Sequence, residues 1–182
     1  MKVAIIGSGG REHALCDSLK KSSKVNKIYC IPGNAGTDLI AENVKIELND
    51  FEAIKEFIKL NAIDLVLVGP EKPLVEGIVD FLEKHNVKVF GPNKIASQLE
   101  GSKAFTKNLC KKYNIPTANF GIFEDSKSAL NFLKSCNLPI VIKADGLASG
   151  KGVYICEKKE EYIEAVKEIF GGKFGEAKQI LI

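Results

Sequence analysis

The chain has 182 residues, 45% hydrophobic and 27% charged, which suits one large globular domain or one domain and part of another. A net charge of +3 with scattered basic residues argues against nucleic-acid binding, and runs such as 62-AIDLVLVG-69 are too short to span a bilayer. Five widely spaced cysteines without a CxxC, and two histidines, speak against a disulfide framework or a zinc site and for reduced thiols in a cytoplasmic protein.

Residues 2-KVAIIG-7 read as a buried strand ending in 7-GSGG-10, and 12-EHALCDSLKK-21 as a helix with Ala14, Leu15 and Leu19 on one face. The strand 27-KIYCI-31 runs into the turn-rich 32-PGNAGT-37. A short strand near Val44 to Ile46 precedes the helix 50-DFEAIKEFIKL-60, with Asp50 as its cap. The strand 64-DLVLV-68 leads through the loop 69-GPEKP-73 to the helix 74-LVEGIVDFLEKH-85 and the strand 87-VKVFG-91. This alternation of apolar strands and helices predicts a parallel sheet covered on both faces. Its three glycine-rich turns follow strand ends, so they gather on one edge where one small ligand can touch all of them.

After Gly91 the rhythm changes. Residues 93–113 read as largely helical with a break near 101-GS-102, where Ser102 can cap the second helix. A helix over 126–135, a strand 140-IVIKA-144, a loop, a strand 153-VYIC-156, a helix 158-KKEEYIEAVKEIF-170 and a strand 179-QILI-182 complete the chain. The boundary falls near Pro92 to Gly101, giving domains 1–101 and 102–182. An apolar ending fits either a truncated chain or a short natural C-terminal strand.

The first glycine turn fails as a dinucleotide fingerprint. GxGxxG needs glycine where Glu12 stands, and the second strand ends without a carboxylate for a ribose. The helix start remains an anion site in its own right. Arg11 is the one arginine beside 25 lysines, and it stands directly after the glycines, where a planar guanidinium can grip phosphate or carboxylate. His13 reads as packed near this turn rather than catalytic. Glu71, between two prolines, reads as an exposed loop residue, either a solvated charge or an acceptor for hydroxyl or amine groups.

The second glycine loop, 145-DGLASGKG-152, fails as a P-loop. Only three residues separate Gly146 from Gly150, Gly152 replaces the hydroxyl after Lys151, and a strand follows instead of a helix. It reads as a strand–loop–strand hairpin that can close over phosphates, with Lys151 at the tip. Lys143 sits inside an apolar strand. It either meets an anion or faces solvent by alternation.

The stretches GSGGREHAL, PGNAGT, DLVLVGPEKPLVEGIVD, VFGP, QLEGSKAFTK, IPTA and PIVIKADGLASGKGV together resemble the glycinamide ribonucleotide synthetases (phosphoribosylamine–glycine ligases), ATP-grasp enzymes of purine biosynthesis, in order and over nearly the whole chain. The resemblance implies a Rossmann-like N-terminal domain that helps bind phosphoribosylamine, followed by an incomplete ATP-grasp domain. It assigns Gly9, Gly10, Arg11, Asn34, Gly36, Thr37, Glu71, Pro73 and Leu74 to the substrate crevice. It assigns Lys103, Lys143, Gly146, Ser149, Gly150, Lys151 and Gly152 to ATP. The implied substrates are phosphoribosylamine, glycine and ATP, with magnesium whose ligands are expected downstream of Ile182. It therefore also implies that this chain is an N-terminal piece that lacks turnover alone. The rival readings are a non-catalytic sugar-phosphate-binding module and another ATP-grasp ligase or carboxylase.

Overall fold

Continuous apolar strands need cover on both faces, and the computed structural model provides it in the first of two units, Met1–Ser97 and Gln98–Ile182. The structure describes residues 1–147, 151–175 and 177–182. The first unit runs β1 (Lys2–Gly7), α1 (Gly10–Lys20), β2 (Lys27–Pro32), a 3-10 turn (Thr37–Leu39), β3 (Glu42–Asn43), α2 (Phe51–Leu60), β4 (Leu65–Val68), α3 (Glu71–Glu76), α4 (Ile78–Lys84) and β5 (Val89–Phe90). The strands are parallel throughout, in the order β3-β2-β1-β4-β5. Period-two alternation sends Ala4, Ile6, Tyr29, Ile31 and Val66 to one face, packed with Ile54 and Ile58 of α2 and Ile78 and Leu82 of α4. Ile5, Ile28 and Cys30 point to the other face, against Cys16 of α1.

Beyond shifts of one or two residues at other ends, three elements of the first unit differ from the expectations above. Helix α1 starts at Gly10, and its inward residues are Glu12 and Cys16, with Leu15 and Leu19 half-buried and Ala14 exposed. The strand expected near Val44 lies two residues earlier. The Val44 N–H still donates to the Cys30 carbonyl, but Ile46 N–H turns back to Val44, so the chain leaves the sheet edge. The helix expected over 74–85 begins at Glu71 and breaks at Gly77, whose φ of 100° ends α3 in a left-handed cap before α4.

The second unit runs α5 (Gln98–Gly101), α6 (Lys103–Lys112), β6 (Ile122–Phe123), α7 (Ser126–Leu133), β7 (Ile140–Ala144), β8 (Val153–Cys156), α8 (Lys159–Phe170) and β9 (Ile180–Leu181). Its sheet is antiparallel, in the order β6-β9-β7-β8. Ile142, Ala144, Cys156 and Ile180 turn inward onto Leu133 of α7 and Tyr162, Val166 and Ile169 of α8. The loop at 145–152 therefore joins two antiparallel neighbours, as the hairpin reading expects. Among the described residues no helix is long and apolar enough to cross a membrane.

Side-chain caps fix the helix starts. Asp50 accepts the Ala53 N–H at 3.0 Å, Ser102 accepts Phe105 N–H at 3.0 Å, and Asp125 accepts Ser128 N–H at 2.8 Å. Replacing Asp50 by Ala removes one such acceptor at an exposed position. Urea unfolding of Asp50→Ala is expected to show a loss of about 1 kcal/mol, with an unchanged slope on denaturant.

Candidate functional site

In a parallel sheet of this order the strand sequence reverses between β1 and β4, and the crevice lies beyond their carboxyl ends. Main-chain bonds brace that edge. Gly33 N–H donates to Gly7 O at 3.1 Å and Gly69 N–H to Ile6 O at 3.0 Å, so the turns after β1, β2 and β4 meet there.

The residue that ruled out a dinucleotide fingerprint proves central. Glu12 is only 2% exposed, at the third position of α1, and its carboxylate accepts the Gly9 N–H at 2.5 Å. Its other oxygen, Oε1, is buried without a hydrogen-bond partner. The carboxylate lies in a cradle of glycines. A Cβ on Gly7 would meet Glu12 Cγ at 2.6 Å, one on Gly9 would meet Oε2 at 2.9 Å, and one on Gly69 would meet Cδ at 2.7 Å. Beneath it the buried thiols of Cys16 and Cys30 lie side by side, and Cys30 donates to Gly7 O at 3.5 Å. Burial, with Cys30 beside it, pushes the Cys16 thiol up to about 12, so it stays protonated and serves packing.

Asn34 is spent on the fold. Its amide donates to Ser8 O at 2.8 Å, and its carbonyl accepts from Gly36 N–H at 2.7 Å and Thr37 N–H at 3.0 Å. Thr37 is fully buried and bonded to the Asn34 main chain and to Asn43. His13 packs on Gly36, where a Cβ would meet its ring at 2.7 Å. Pro73 and Leu74 are buried, with Leu74 in the core. Gly10 differs from these residues. It is exposed, and a Cβ there would meet nothing within 4 Å.

Arg11 and Glu71 pair with each other, Nη1 to Oε1 at 2.9 Å, with side chains 66% and 39% exposed. Glu71 opens α3 instead of lying in a loop, and its carboxylate is paired, so of the two readings the solvated charge is the one that fails. The guanidinium holds its carboxyl below the usual range. Any stability from this shift is present above the unfolded value and is lost as pH falls through the folded one.

In the second unit the glycine hairpin opens at the end of β7. Alternation leaves Lys143 half-buried on the face opposite Ile142 and Ala144, on the wall of a cavity of about 450 Å³ with Phe120, Val141 and Leu181. Lys143 shows no ion pair among the described residues, whereas Lys107, in the same cavity, is bonded to Thr117 and Ala118. Lys103 Nζ donates to Ala144 O and Gly146 O, both at 2.9 Å. Asp145, which sequence reasoning passed over, accepts Ser102 Oγ–H at 2.9 Å and Ala104 N–H at 3.1 Å. Gly146 and Gly152 have φ of 96° and 78°, conformations that favour glycine, and Gly152 O accepts the Ala144 N–H at 2.8 Å to close the hairpin. Lys151 is exposed. Ser149 and Gly150 lie outside the described residues. Among the described residues no cluster of three or more His, Cys, Asp or Glu is placed to hold a metal.

Two outcomes follow from the first unit. Gly7→Ala forces an alanine to φ 130° against a buried carboxylate, and thermal or urea unfolding is expected to show a loss of about 2–4 kcal/mol. Arg11→Ala removes an exposed ion pair, and the same assay is expected to show less than about 1 kcal/mol.

The family model for phosphoribosylglycinamide synthetase, N domain, matches residues 1–100, and that for the ATP-grasp (A) domain of the same synthetase matches residues 101–182. Phosphoribosylamine–glycine ligase of Clostridium acetobutylicum is 50% identical over 177 residues, covering 94% of this chain and 42% of the relative. That of Caldanaerobacter subterraneus is 53% identical over 169 residues, covering 93% of this chain and 40% of the relative. The chain thus spans about two fifths of the length of these curated relatives. A crystal structure of phosphoribosylamine–glycine ligase from Thermotoga maritima superposes with a TM-score of 0.79 at 37% identity, over 100% of this chain and 43% of that one. The biotin carboxylase domain of Hydrogenobacter thermophilus 2-oxoglutarate carboxylase shares the fold, with a TM-score of 0.76 at 21% identity, over 99% of this chain and 43% of that one. With both halves matched in order, the chain belongs to the phosphoribosylglycinamide synthetase family.

Proposed function

We propose that the protein carrying this chain joins glycine to 5-phosphoribosylamine at the expense of ATP. The observation that carries the reading is that each structural unit corresponds to a domain of one family, in that family's order. Glycine's carboxylate attacks the γ-phosphorus and ADP leaves, giving glycyl phosphate. The sugar amine then attacks the glycyl carbonyl, phosphate leaves, and an amide forms. All the phosphoryl-bearing partners are anionic, so fixed cations must offset repulsion as charge spreads over the transferring group. Lys103 and Lys143 are assigned that task, with Gly146, Lys151 and Gly152 of the hairpin at the phosphates, where they help exclude water from the acyl phosphate. The magnesium that the family implies would offset the negative charge of ATP, and none of the described residues is assigned to hold it.

In the first unit the sugar phosphate is assigned to the crevice beyond β1 and β4. The open face of Gly10, the N–H groups at the start of α1 and the exposed Arg11–Glu71 pair offer it donors, a cation and a carboxylate for hydroxyls or the amine. Gly9, Asn34, Gly36 and Thr37 shape this edge through hydrogen bonds between side chain and main chain. Pro73 and Leu74 support it from the core. The phosphorylated substrates and the free cysteines suit a cytoplasmic enzyme.

The activity is checked by glycine-dependent ADP release that requires phosphoribosylamine, measured on the full-length protein. Turnover with another amino acid and none with glycine would refute the substrate assignment. For the crevice, ribose 5-phosphate is expected to shift the NMR amide signals of Gly9, Gly10 and Arg11, and Arg11→Ala is expected to weaken that response about tenfold. Shifts confined to residues 140–156 would contradict the assignment.

A further inference from the structure

Lys103 and Asp145 hold each other in place without touching as an ion pair. The Lys103 ammonium donates to the carbonyls of Ala144 and Gly146, the two neighbours of Asp145. The Asp145 carboxylate accepts from Ser102 and Ala104, the two neighbours of Lys103. Asp145 is anchored in turn by its own N–H, which donates to Gln179 O at 3.0 Å beside β9.

This arrangement has two chemical consequences. First, the start of α6 would ordinarily offer its free N–H groups to an anion, but here the chain's own carboxylate and the Ser102 hydroxyl take them. The ammonium of Lys103 is then left for other partners. Second, that ammonium rests on neutral carbonyls and not directly on a carboxylate. Two of its three donors fix its direction, and among the described residues the third has no partner. Gly146 takes part through its backbone, since its φ of 96° is a left-handed conformation that a side chain rarely adopts.

We propose that Asp145 is the positioning residue for Lys103, holding its ammonium where a nucleotide phosphate can meet it. This rests on Lys103 serving the nucleotide. Asp145 itself need touch no substrate.

The test is a double-mutant cycle in the full-length protein, reading the KM for ATP and kcat of glycine- and phosphoribosylamine-dependent ADP formation. Asp145→Ala is expected to raise the KM for ATP about tenfold, the loss of a charge-assisted hydrogen bond. In a Lys103→Ala background the same change is expected to move it less than about twofold, because the residue acts through Lys103. Equal effects in both backgrounds, or an unchanged KM in Asp145→Ala, would overturn the proposal. Should Asp145→Ala not fold, Ser102→Ala in the same cycle reads the same coupling, and additivity there overturns it equally. A folded wild-type protein that forms no ADP under any of these conditions overturns both this proposal and the assignment of function.

Discussion

The first N–H groups of a helix have no partner within it and call for acceptors from elsewhere. At one helix start in each unit the chain supplies a carboxylate among them. Glu12 reaches back to the Gly9 N–H at the start of α1, and Asp145 reaches across to Ala104 N–H and Ser102 at the start of α6. Much of the local design follows from these two carboxylates. Gly7, Gly9 and Gly69 are small because the Glu12 carboxylate fills the space where their side chains would stand. Gly146 turns left-handed directly after Asp145, and its carbonyl reaches Lys103.

The cations are handled differently in the two units, and the difference fits the work proposed for them. Arg11 lies against Glu71 in an exposed ion pair, a weak contact. Lys103 lies on carbonyl dipoles, while Lys143 stands half-buried on a cavity wall with apolar neighbours. A fixed cation in partly apolar surroundings suits an anion that must be held through a change of charge distribution. An ion pair at the rim suits a ligand that brings both phosphate and hydroxyl groups.

The order of strands and helices was legible because each strand in the first unit is an unbroken apolar run and each turn after it is rich in glycine. The hairpin around the second glycine loop was legible because Lys143 and the residues beyond Gly152 keep strand chemistry. The edges were not legible. Glu71 and Pro73 read as loop residues, yet a first helical turn tolerates proline, and α3 begins at Glu71. Ala14 fits an apolar face by spacing, but α1 turns Glu12 and Cys16 inward instead. Glu12 read only as a missing glycine, although a glutamate three residues after a helix N-cap is itself a capping signal. Nothing local reveals that the Asn34 amide reaches back 26 residues to Ser8. Asp145 meets Ser102 across 43 residues, a pairing set by the sheet that brings β7 beside α6.

Before any ligand arrives, the chain's own carboxylates hold the Gly9 N–H at the start of α1 and the Ala104 N–H at the start of α6. Amide hydrogen exchange of the ligand-free chain in low-salt, phosphate-free buffer measures this directly at Gly9 and Ala104. The account predicts that both amides exchange well below their intrinsic rates, and that Glu12→Ala and Asp145→Ala release Gly9 and Ala104 respectively. Exchange at intrinsic rates in the unmodified chain, with protection gained only on adding phosphate or ATP, would contradict it.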